Sequence, residues 1–363
     1  MRILAVLILV AVLTGGCLTA RKNFSEETWR ARVDETDPAL LYAPHFRDGR
    51  FFNPWMPMEE KSFLGVIGWK LSKKGRVYSD EEKRFLPAVI PDPASRIRAL
   101  GDADFILWAG HNTFIIRIDG RYWITDPIFS DRALLPKRLT PPGISPEELA
   151  VLAPRLNVII SHNHYDHLDA ASIRKLPADA RFYVPKGIRG LLISLGRRDV
   201  TEMDWWEETG AEGGARVICL PAQHWSKRID QATDSTLWAS YLLVTPGLTL
   251  YLGGDSGYFI GYREFGSRFP GIDYALIPTT AYHPRWFMHY AHLDIDEALR
   301  AFSELGARRF IPTQWGTFAL GDEPPGYPAL DLRRAIDARG LDPKRFLIMD
   351  IGGIEVLERA KEP

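Results

Sequence analysis

The chain has 363 residues, of which 46% are hydrophobic and 12% aromatic, so the composition indicates a globular protein with one large core or two moderate ones. Its formal net charge is −1 and its pI is about 6.8, so the charge balance does not suggest nucleic acid as a partner. Its two cysteines, Cys17 and Cys219, imply no disulfide framework.

Residues 1–17 are predicted to be a targeting segment outside the fold. Arg2 precedes an apolar run, 3–13, that is too short to span a bilayer as a mature helix, and small residues lead to Cys17. The pattern resembles a bacterial lipoprotein signal cleaved before Cys17. It would leave a lipid-anchored protein in the cell envelope, facing the periplasm or the exterior. Ordinary secretion and an uncleaved anchor are the alternatives.

Residues 18–100 are rich in charged residues, proline and aromatics and lack the long periodic runs of an independent core. Short helices are predicted over 26–32 and 80–85, and an ordered loop over 49–55. We therefore predict an N-terminal extension, residues 18–100, that packs on a main domain at 101–360.

The main domain begins with strands joined by short turns. Strands are predicted at 105–108, 113–118, 122–125, 157–160, 182–184, 217–220, 237–244, 249–252, 274–277, 309–311, 346–349 and 354–357. Helices are predicted at 170–176, 187–195, 294–305 and 329–339. Short turns exclude a wholly parallel sheet, whose crossovers need roughly a dozen residues or more. The order predicts an α/β fold, a four-layer αββα sandwich.

One motif dominates this pattern. His162, His164, Asp166 and His167 lie in an H-x-H-x-D-H loop directly after the strand predicted at 157–160. The first two histidines alternate on one side of an extended loop and can reach one ion, whereas the aspartate and last histidine turn toward a neighbouring position. These ligands suit zinc first, with iron or manganese as alternatives. A polar loop whose histidines cap backbone groups is the competing interpretation, but this spacing is uncommon.

Two later strand ends offer further ligands. His224 follows the strand predicted at 217–220, and Asp255 follows the strand predicted at 249–252 after two glycines that allow close backbone approach. His224 would complete a first site with the first two histidines of the motif. Asp255 would bridge to a second site containing the motif's aspartate and last histidine. Taken alone, His224 would more often be a structural histidine.

Together these loops resemble the metallo-β-lactamase superfamily, and within it the branch containing N-acyl-phosphatidylethanolamine-hydrolysing phospholipase D. The resemblance covers residues from about 49 to 320 and includes motifs more specific than H-x-H-x-D-H. They lie at 53–55, 108–111, 125–130, 204–207, 223–225, 254–255, 284–288, His292 and 315–318. Where the family places a histidine before Trp-Gly-Thr-Phe, this chain has Gln314, whose neutral amide oxygen is a weaker zinc ligand than imidazole.

The resemblance implies a metal-dependent hydrolase with two zinc ions, the second weakly bound. The implied metal ligands are His162, His164, Asp166, His167, His224, Asp255 and Gln314. The implied reaction is cleavage of a glycerophospholipid phosphodiester to phosphatidic acid and a headgroup alcohol by metal-activated hydroxide. Asp166 and Asp255 would also orient the proton of the nucleophile, and His292 would assist protonation of the leaving group.

The expected partners are a phospholipid substrate and a membrane surface, the latter through a lipid anchor at Cys17; the resemblance also allows a homodimer. Trp286, Phe287 and Met288 would form a wall for acyl chains, or ordinary core. His111 is expected to support the ligands rather than to bind metal.

Several alternatives stay open. The substrate could be another ester, a lactone or another phosphodiester, because fold does not fix substrate. Gln314 also leaves room for a one-metal enzyme or for a non-catalytic envelope protein that binds lipid or metal. His292 could instead form a local hydrogen bond at a helix N-terminus, and His45 and His289 are expected to be surface or packing residues.

Overall fold

The computed structural model describes residues 24–58, 68–69 and 75–359, and the predicted signal segment with Cys17 lies outside them. Within those ranges, no helix combines the length and apolar character that a membrane span requires. The strands are β1 (Phe46–Arg47), β2 (Arg50–Phe51), β3 (Phe105–Gly110), β4 (Thr113–Ile118), β5 (Arg121–Thr125), β6 (Leu156–Ile159), β7 (Arg181–Pro185), β8 (Val200–Met203), β9 (Glu208–Gly210), β10 (Arg216–Leu220), β11 (Ser240–Val244), β12 (Thr249–Leu252), β13 (Tyr274–Pro278), β14 (Arg309–Thr313) and β15 (Ile354–Val356).

Ten α-helices have both ends within the part of the chain that the structure describes. They are α1 (Glu26–Asp34), α2 (Asp80–Arg84), α3 (Pro93–Ala99), α4 (Pro146–Leu152), α5 (Ala170–Lys175), α6 (Arg189–Ser194), α7 (Gly261–Arg268), α8 (Arg285–Met288), α9 (Ile295–Leu305) and α10 (Tyr327–Ala338).

Two mixed sheets form the centre of the molecule. The first has the strand order β15-β3-β4-β5-β6-β7-β8, and the second has the order β14-β13-β12-β11-β10-β9. Strands β3, β4 and β5 pair antiparallel through short turns, whereas β5, β6 and β7 pair parallel. In the second sheet, β10, β11 and β12 pair antiparallel, whereas β12, β13 and β14 pair parallel. Neither sheet is wholly parallel, as the short early turns predicted.

Alternation along the strands separates two hydrophobic layers. In β4, Ile115 faces a core that also contains Ile97 of α3, Leu149 of α4 and Ile173 of α5. Its neighbour Ile116 belongs to the larger core, which the second sheet shares with α7, α9 and α10. The order helices, sheet, sheet, helices confirms the predicted αββα sandwich.

The segment before the main domain packs on the same core. Trp29 of α1, Phe51 of β2 and Trp55 belong to the hydrophobic cluster that contains the second sheet. Helix α3, which also precedes residue 101, packs on the outer face of the first sheet through Ile97. The sandwich therefore recruits residues from within 18–100, and the boundary at 101 stays a prediction.

The prediction of a strand at 346–349 is wrong. Phe346 forms a single bridge to Phe310, and Leu347 donates its backbone N–H to the Phe310 carbonyl at 2.8 Å. The chain then turns away, because the Asp350 carboxylate accepts the backbone N–H of Ala88 at 2.9 Å. This apolar run packs against the core without forming a ladder.

A buried carboxylate, Glu323, holds the turn that precedes α8. Its two oxygens accept the backbone N–H groups of Tyr282 at 3.2 Å and His283 at 3.0 Å. Burial raises the pKa of Glu323 to about 7, although the backbone N–H groups act in the opposite direction. The folded protein therefore holds this proton more tightly than the unfolded chain does.

We expect this carboxylate to make stability fall as pH rises. Its contribution is fully present below the unfolded pKa of about 4.5 and is lost as pH rises through about 7. The loss is about 3 kcal/mol in the free energy of unfolding. The free energy of unfolding of the metal-depleted protein would be measured in urea at about pH 5 and about pH 8. The difference between the two pH values should be smaller in Glu323→Gln than in the wild type. An equal difference in both proteins would contradict this assignment.

Candidate metal centre

The predicted ligands converge where strands of the two sheets end. The H-x-H-x-D-H loop follows β6 of the first sheet, whereas His224 and Asp255 follow β10 and β12 of the second. Gly254 permits this approach, because a Cβ at that position would lie 2.5 Å from the Ser161 Cβ and its φ is +59°. The two sheets thus bring residues from 60 (His164 and His224) to 93 (His162 and Asp255) positions apart into one cluster.

The first group of ligands consists of His162, His164, His224 and Asp255. The Nδ1 atom of His164 lies 2.7 Å from Nε2 of His162 and 3.2 Å from Nε2 of His224. Asp255 Oδ2 lies 3.9 Å from Nε2 of His162 and 3.4 Å from Nε2 of His224. Three nitrogens and one oxygen therefore surround a common point.

The second group consists of His111, Asp166 and His167. His111 Nε2 lies 3.2 Å from Asp166 Oδ2 and 3.4 Å from His167 Nε2, and the latter two atoms lie 3.6 Å apart. The other oxygen of Asp255, Oδ1, lies 3.3 Å from His167 Nε2. Asp255 thus directs one oxygen to each group, and its role as a bridging metal ligand stays a prediction.

The donor sets fit metal ions. A tetrahedral zinc with Zn–N bonds of 2.0–2.1 Å requires ligand atoms about 3.3 Å apart, and the distances within both groups lie around that value. The ring nitrogens of His162 and His164 face each other at 2.7 Å, which suits two lone pairs that converge on one cation. Each group therefore has ligands that could hold a metal ion.

The electrostatics agree with this assignment. Burial lowers the pKa of His164 to about 4 and holds the pKa values of His162 and His224 well below the usual range, so these rings are neutral, as metal ligands must be. Burial opposes the charge of Asp255, but His167 outweighs it and lowers the pKa of Asp255.

The carboxylates around His167 favour a positive charge at its ring. Burial lowers its pKa, but Asp255, Asp166 and Asp126 together raise the pKa of His167 well above its usual range. A metal cation can supply the same positive charge with the His167 ring neutral.

His224 is held in place by residues that are distant from it in the sequence. Its backbone carbonyl accepts the Asn53 amide at 3.1 Å, and its Nδ1 lies 3.2 Å from the Ala291 carbonyl. The neighbouring Gln223 side chain accepts the indole N–H of Trp55 at 3.2 Å. These contacts leave Nε2 of His224 as the nitrogen directed at the cluster.

Asp126, at the end of β5, orients the last histidine of the motif. Its Oδ2 lies 2.7 Å from Nδ1 of His167 and accepts the Ser161 hydroxyl and the Asn112 amide, each at 2.6 Å. Its Oδ1 accepts the Ser161 backbone N–H at 2.7 Å. A proton on Nδ1 of His167 is thereby fixed, which leaves Nε2 as the metal-binding nitrogen.

We expect Asp126→Asn to weaken metal binding by the second group about 10- to 100-fold. The amide cannot accept all the hydrogen bonds that the carboxylate accepts, so the His167 ring loses its fixed orientation. A metal titration monitored by calorimetry would measure the affinity. Asp331→Asn, which changes a carboxylate bonded to Tyr282 and Tyr327, is the control. Equal affinity in the wild type and in Asp126→Asn would contradict the orienting role.

Gln314 has a contact different from the one expected of a ligand. Its Nε2 donates to Asp255 Oδ1 at 2.5 Å and to the Gly254 carbonyl at 3.0 Å. Because both neighbours are acceptors, the amide nitrogen must face them. In this arrangement Gln314 supports Asp255 rather than offering its oxygen to the second group, and its role as a ligand stays a prediction.

The remaining predicted residues lie at different places. The ring of His292 lies 5.5 Å from that of His224, two positions before Asp294, the N-cap of α9. Trp286, Phe287 and Met288 form a small hydrophobic cluster with Trp69, separate from the main core. Their proposed roles in leaving-group protonation and acyl-chain contact stay predictions.

Sequence reasoning assigned His111 to a supporting role, whereas the structure places its Nε2 within the second group. The residue adopts φ +50° in the β3–β4 turn, and its backbone N–H donates to Thr317 Oγ1 at 2.7 Å. The short turn predicted between the strands at 105–108 and 113–118 located the loop that carries His111, but not the contact of His111 with Asp166. Asp126 likewise follows the strand predicted at 122–125, but nothing in the sequence indicated that it would bond to His167.

Comparisons with known proteins agree with this geometry. A model of the beta-lactamase superfamily domain matches residues 121–315, more than half of the chain. An uncharacterized protein of Mycobacterium tuberculosis strain H37Rv is 33% identical over 339 residues, covering 85% of this chain and 87% of that protein. N-acyl-phosphatidylethanolamine-hydrolyzing phospholipase D 1 of Caenorhabditis elegans is 33% identical over 270 residues, covering 69% and 75%.

A solved structure shows the same fold. It is described as a possible metal-dependent hydrolase from Veillonella parvula DSM 2008, with a TM-score of 0.59 and 15% identity, and the match covers 71% of this chain and 100% of that one. The family domain, the relatives and the two His/Asp groups lead to one conclusion: the chain belongs to the metallo-β-lactamase superfamily and is a metal-dependent hydrolase.

Proposed function

We propose that the protein hydrolyses the phosphodiester of a glycerophospholipid, releasing phosphatidic acid and the headgroup alcohol, with two zinc ions as cofactors. One observation carries the proposal. Asp255 directs Oδ2 toward His224 at 3.4 Å and Oδ1 toward His167 at 3.3 Å, so a single carboxylate joins two ligand groups. A paired-ion site of this kind suits in-line displacement at phosphorus.

The relatives narrow the substrate class. The Caenorhabditis elegans relative carries a name that specifies N-acyl-phosphatidylethanolamine hydrolysis, and it shares 33% identity over three quarters of its length. In the Arg285-Trp286-Phe287-Met288 segment, Trp286 is half-buried and packs on the buried Phe287 and Met288, which gives an apolar cluster. Arg285 links it to the site, because its guanidinium donates to the His292 carbonyl at 3.0 Å.

The protein's own residues have distinct tasks in this proposal. When bound, the ions lower the pKa of the attacking water and stabilise charge on the phosphoryl oxygens. His164 and Asp166 are half-buried, whereas His162, His167 and His224 are buried, so substrate approaches from the side of His164 and Asp166. Asp166 is therefore the carboxylate placed to orient the proton of the nucleophile, and His292 is the nearby group for protonating the leaving alcohol.

We also propose that the protein acts in a bacterial cell envelope. A lipid anchor at Cys17 would hold the domain beside its substrate, facing the periplasm or the exterior. A homodimer remains part of the proposal through family resemblance alone. Gln314 supports weak binding at the second group, because its N–H occupies the Asp255 oxygen nearest His167.

Hydrolysis and metal content measured on one sample would test the proposal. Purified protein should convert N-acyl-phosphatidylethanolamine or another glycerophospholipid to phosphatidic acid, and His164→Ala should lose this activity together with bound metal. His45→Ala is the matched control, because His45 bonds to Asp204 away from the cluster. Bound metal without release of headgroup from any phospholipid would overturn the substrate and favour another ester or phosphodiester. Absence of bound metal would overturn the two-zinc mechanism.

A further inference from the structure

The exposed leucines of the described residues are concentrated in one segment. Leu134, Leu135 and Leu139 are 45%, 77% and 48% exposed, and every other leucine in the described ranges is more buried than these. They lie in residues 131–139, here named the leucine hairpin. Single exposed hydrophobic residues are common on protein surfaces and need no explanation. Three exposed leucines within nine residues, in contrast, form a local apolar surface.

The leucine hairpin is an ordered structure. Arg132 and Lys137 form an antiparallel bridge, and the Ala133 backbone N–H donates to the Pro136 carbonyl at 3.0 Å. This arrangement places Leu134 and Leu135 at the tip, with Leu134 at φ +60°, a conformation that is costly for leucine. A glycine or asparagine would relieve that cost, so the leucine at the tip is not explained by the turn.

The leucine hairpin is attached to the metal centre. The Leu139 backbone N–H donates to the Thr317 carbonyl at 2.9 Å, and Thr317 Oγ1 accepts the backbone N–H of His111. The Arg138 guanidinium lies 5.0 Å from the centre of the Phe318 ring, which itself lies 5.3 Å from the His111 ring. A surface that binds the leucine hairpin would therefore lie close to the second ligand group.

Another exposed aliphatic side chain, outside the leucine hairpin, belongs to a segment bonded to the H-x-H-x-D-H loop. Ile229 is 78% exposed, and its backbone N–H donates to the Tyr165 hydroxyl at 3.2 Å. The nearby Lys227 donates its backbone N–H to the Asn163 side chain at 3.0 Å. Exposed apolar groups thus occur on two segments bonded to the loops that carry the metal ligands.

These two segments are also locally basic. Residues 131–139 and 227–230 carry three exposed cationic side chains against two exposed carboxylates, although the whole chain has a formal net charge of −1. The exposed cations are Arg132, Lys137 and Lys227, and the carboxylates are Asp131 and Asp230; Arg138 and Arg228 are buried and do not contribute to this surface. Exposed aliphatic groups flanked by cations are complementary to a surface of anionic lipid headgroups over acyl chains.

We propose that the leucine hairpin, with Ile229, inserts into an anionic lipid surface and holds the metal centre against it. The proposal deepens the proposed lipid hydrolysis by naming the surface that presents the substrate. Leu134 and Leu135 enter the acyl boundary, while Arg132 and Lys137 contact headgroup phosphates. This contact is independent of any anchor at Cys17.

A fluorescent label at the tip gives a direct test. In a Cys17→Ser background Cys219 is buried, so Leu135→Cys can be labelled selectively with an environment-sensitive dye. Vesicles containing phosphatidylglycerol should shift the emission to the blue, and pure phosphatidylcholine vesicles should do so less. Val151→Cys is the matched control, because Val151 is 78% exposed on α4. No shift at position 135, or equal shifts at both positions, would overturn the proposal.

Co-sedimentation with the same vesicles provides a second measurement. Replacing both Leu134 and Leu135 with serine should lower partitioning by about tenfold or more, because each loses several buried methylene groups. Replacing Val151 and Ile193 with serine should leave partitioning unchanged. Equal losses in both double variants, or a label response to protein concentration without vesicles, would overturn the lipid surface and favour contact between copies.

The outcomes separate docking from catalysis. A label shift without phospholipid hydrolysis would retain the docking surface and overturn the proposed function. If both are correct, the serine double variant should lose hydrolysis of vesicle lipid about tenfold while keeping hydrolysis of a water-soluble short-chain phosphodiester. Equal losses on both substrates would show damage to the metal centre and contradict the docking role.

Discussion

Replacing Asp255 with asparagine is expected to remove metal from both ligand groups and to reduce hydrolysis by about a thousandfold or more. Loss of a residue that supports a metal ligand typically lowers metal affinity or activity about 10- to 100-fold. The effect of losing Asp255 should be larger, because Asp255 itself directs an oxygen toward each group. The neutral amide removes the bridging charge and replaces one oxygen with a donor that repels a cation. Elemental analysis and rates measured on the same preparation would test this expectation.

Asp273→Asn is the matched control for that experiment. Both aspartates are 6% exposed, but Asp273 accepts hydrogen bonds from Thr249 and Arg308 instead of facing the histidines. We expect this control to lose some stability and to keep its metal. Full metal occupancy in Asp255→Asn, or equal metal loss in the two variants, would contradict the bridging role of Asp255.

Replacing His111 with alanine is expected to lower the metal affinity of the second group by more than about 100-fold while leaving the first group occupied. The substitution leaves Asp166 and His167 without the third side chain of their group. Adding Gln314→His should restore part of the affinity, because Gln314 already contacts Asp255 and its backbone N–H donates to the His111 carbonyl. Metal titration of the two single variants and the double variant would measure this compensation.

His283→Ala is the control for His111, because His283 is a half-buried histidine that bonds to Tyr78 outside the cluster. It should keep both affinities. If His111→Ala binds metal as the wild type does, His111 has only the supporting role that the sequence suggested. Failure of Gln314→His to change the affinity would show that position 314 cannot reach the second group.

Much of the site was predictable because its signals are local. Three histidines and an aspartate within six residues after a strand indicate a metal by themselves, and the strand ends before His224 and Asp255 lie at the same edge of the fold. His111 has no such signal. Its role depends on the β3–β4 turn lying beside the loop after β6, and that proximity is a tertiary property.

At Gln314 the sequence marks the position as important but does not give its contacts. A sequence pattern can mark it as a substituted ligand, but the direction of its amide depends on Asp255 and Gly254 as acceptors. The strand prediction at 346–349 failed for a related reason, since pairing with β14 ends after a single bridge at Phe346 and the apolar residues pack on the core instead. Residue types were informative in both cases, whereas partners were set by the fold.

The origin of the ligands has a consequence for the mechanics of the whole molecule. His162 and His164 follow a strand of one sheet, whereas His224 and Asp255 follow strands of the other. An ion bound by all four would act as a cross-link between the sheets, so its binding free energy would add to the stability of the folded chain. Loosening the hydrophobic interface between the sheets should then weaken metal binding, even at positions far from any ligand.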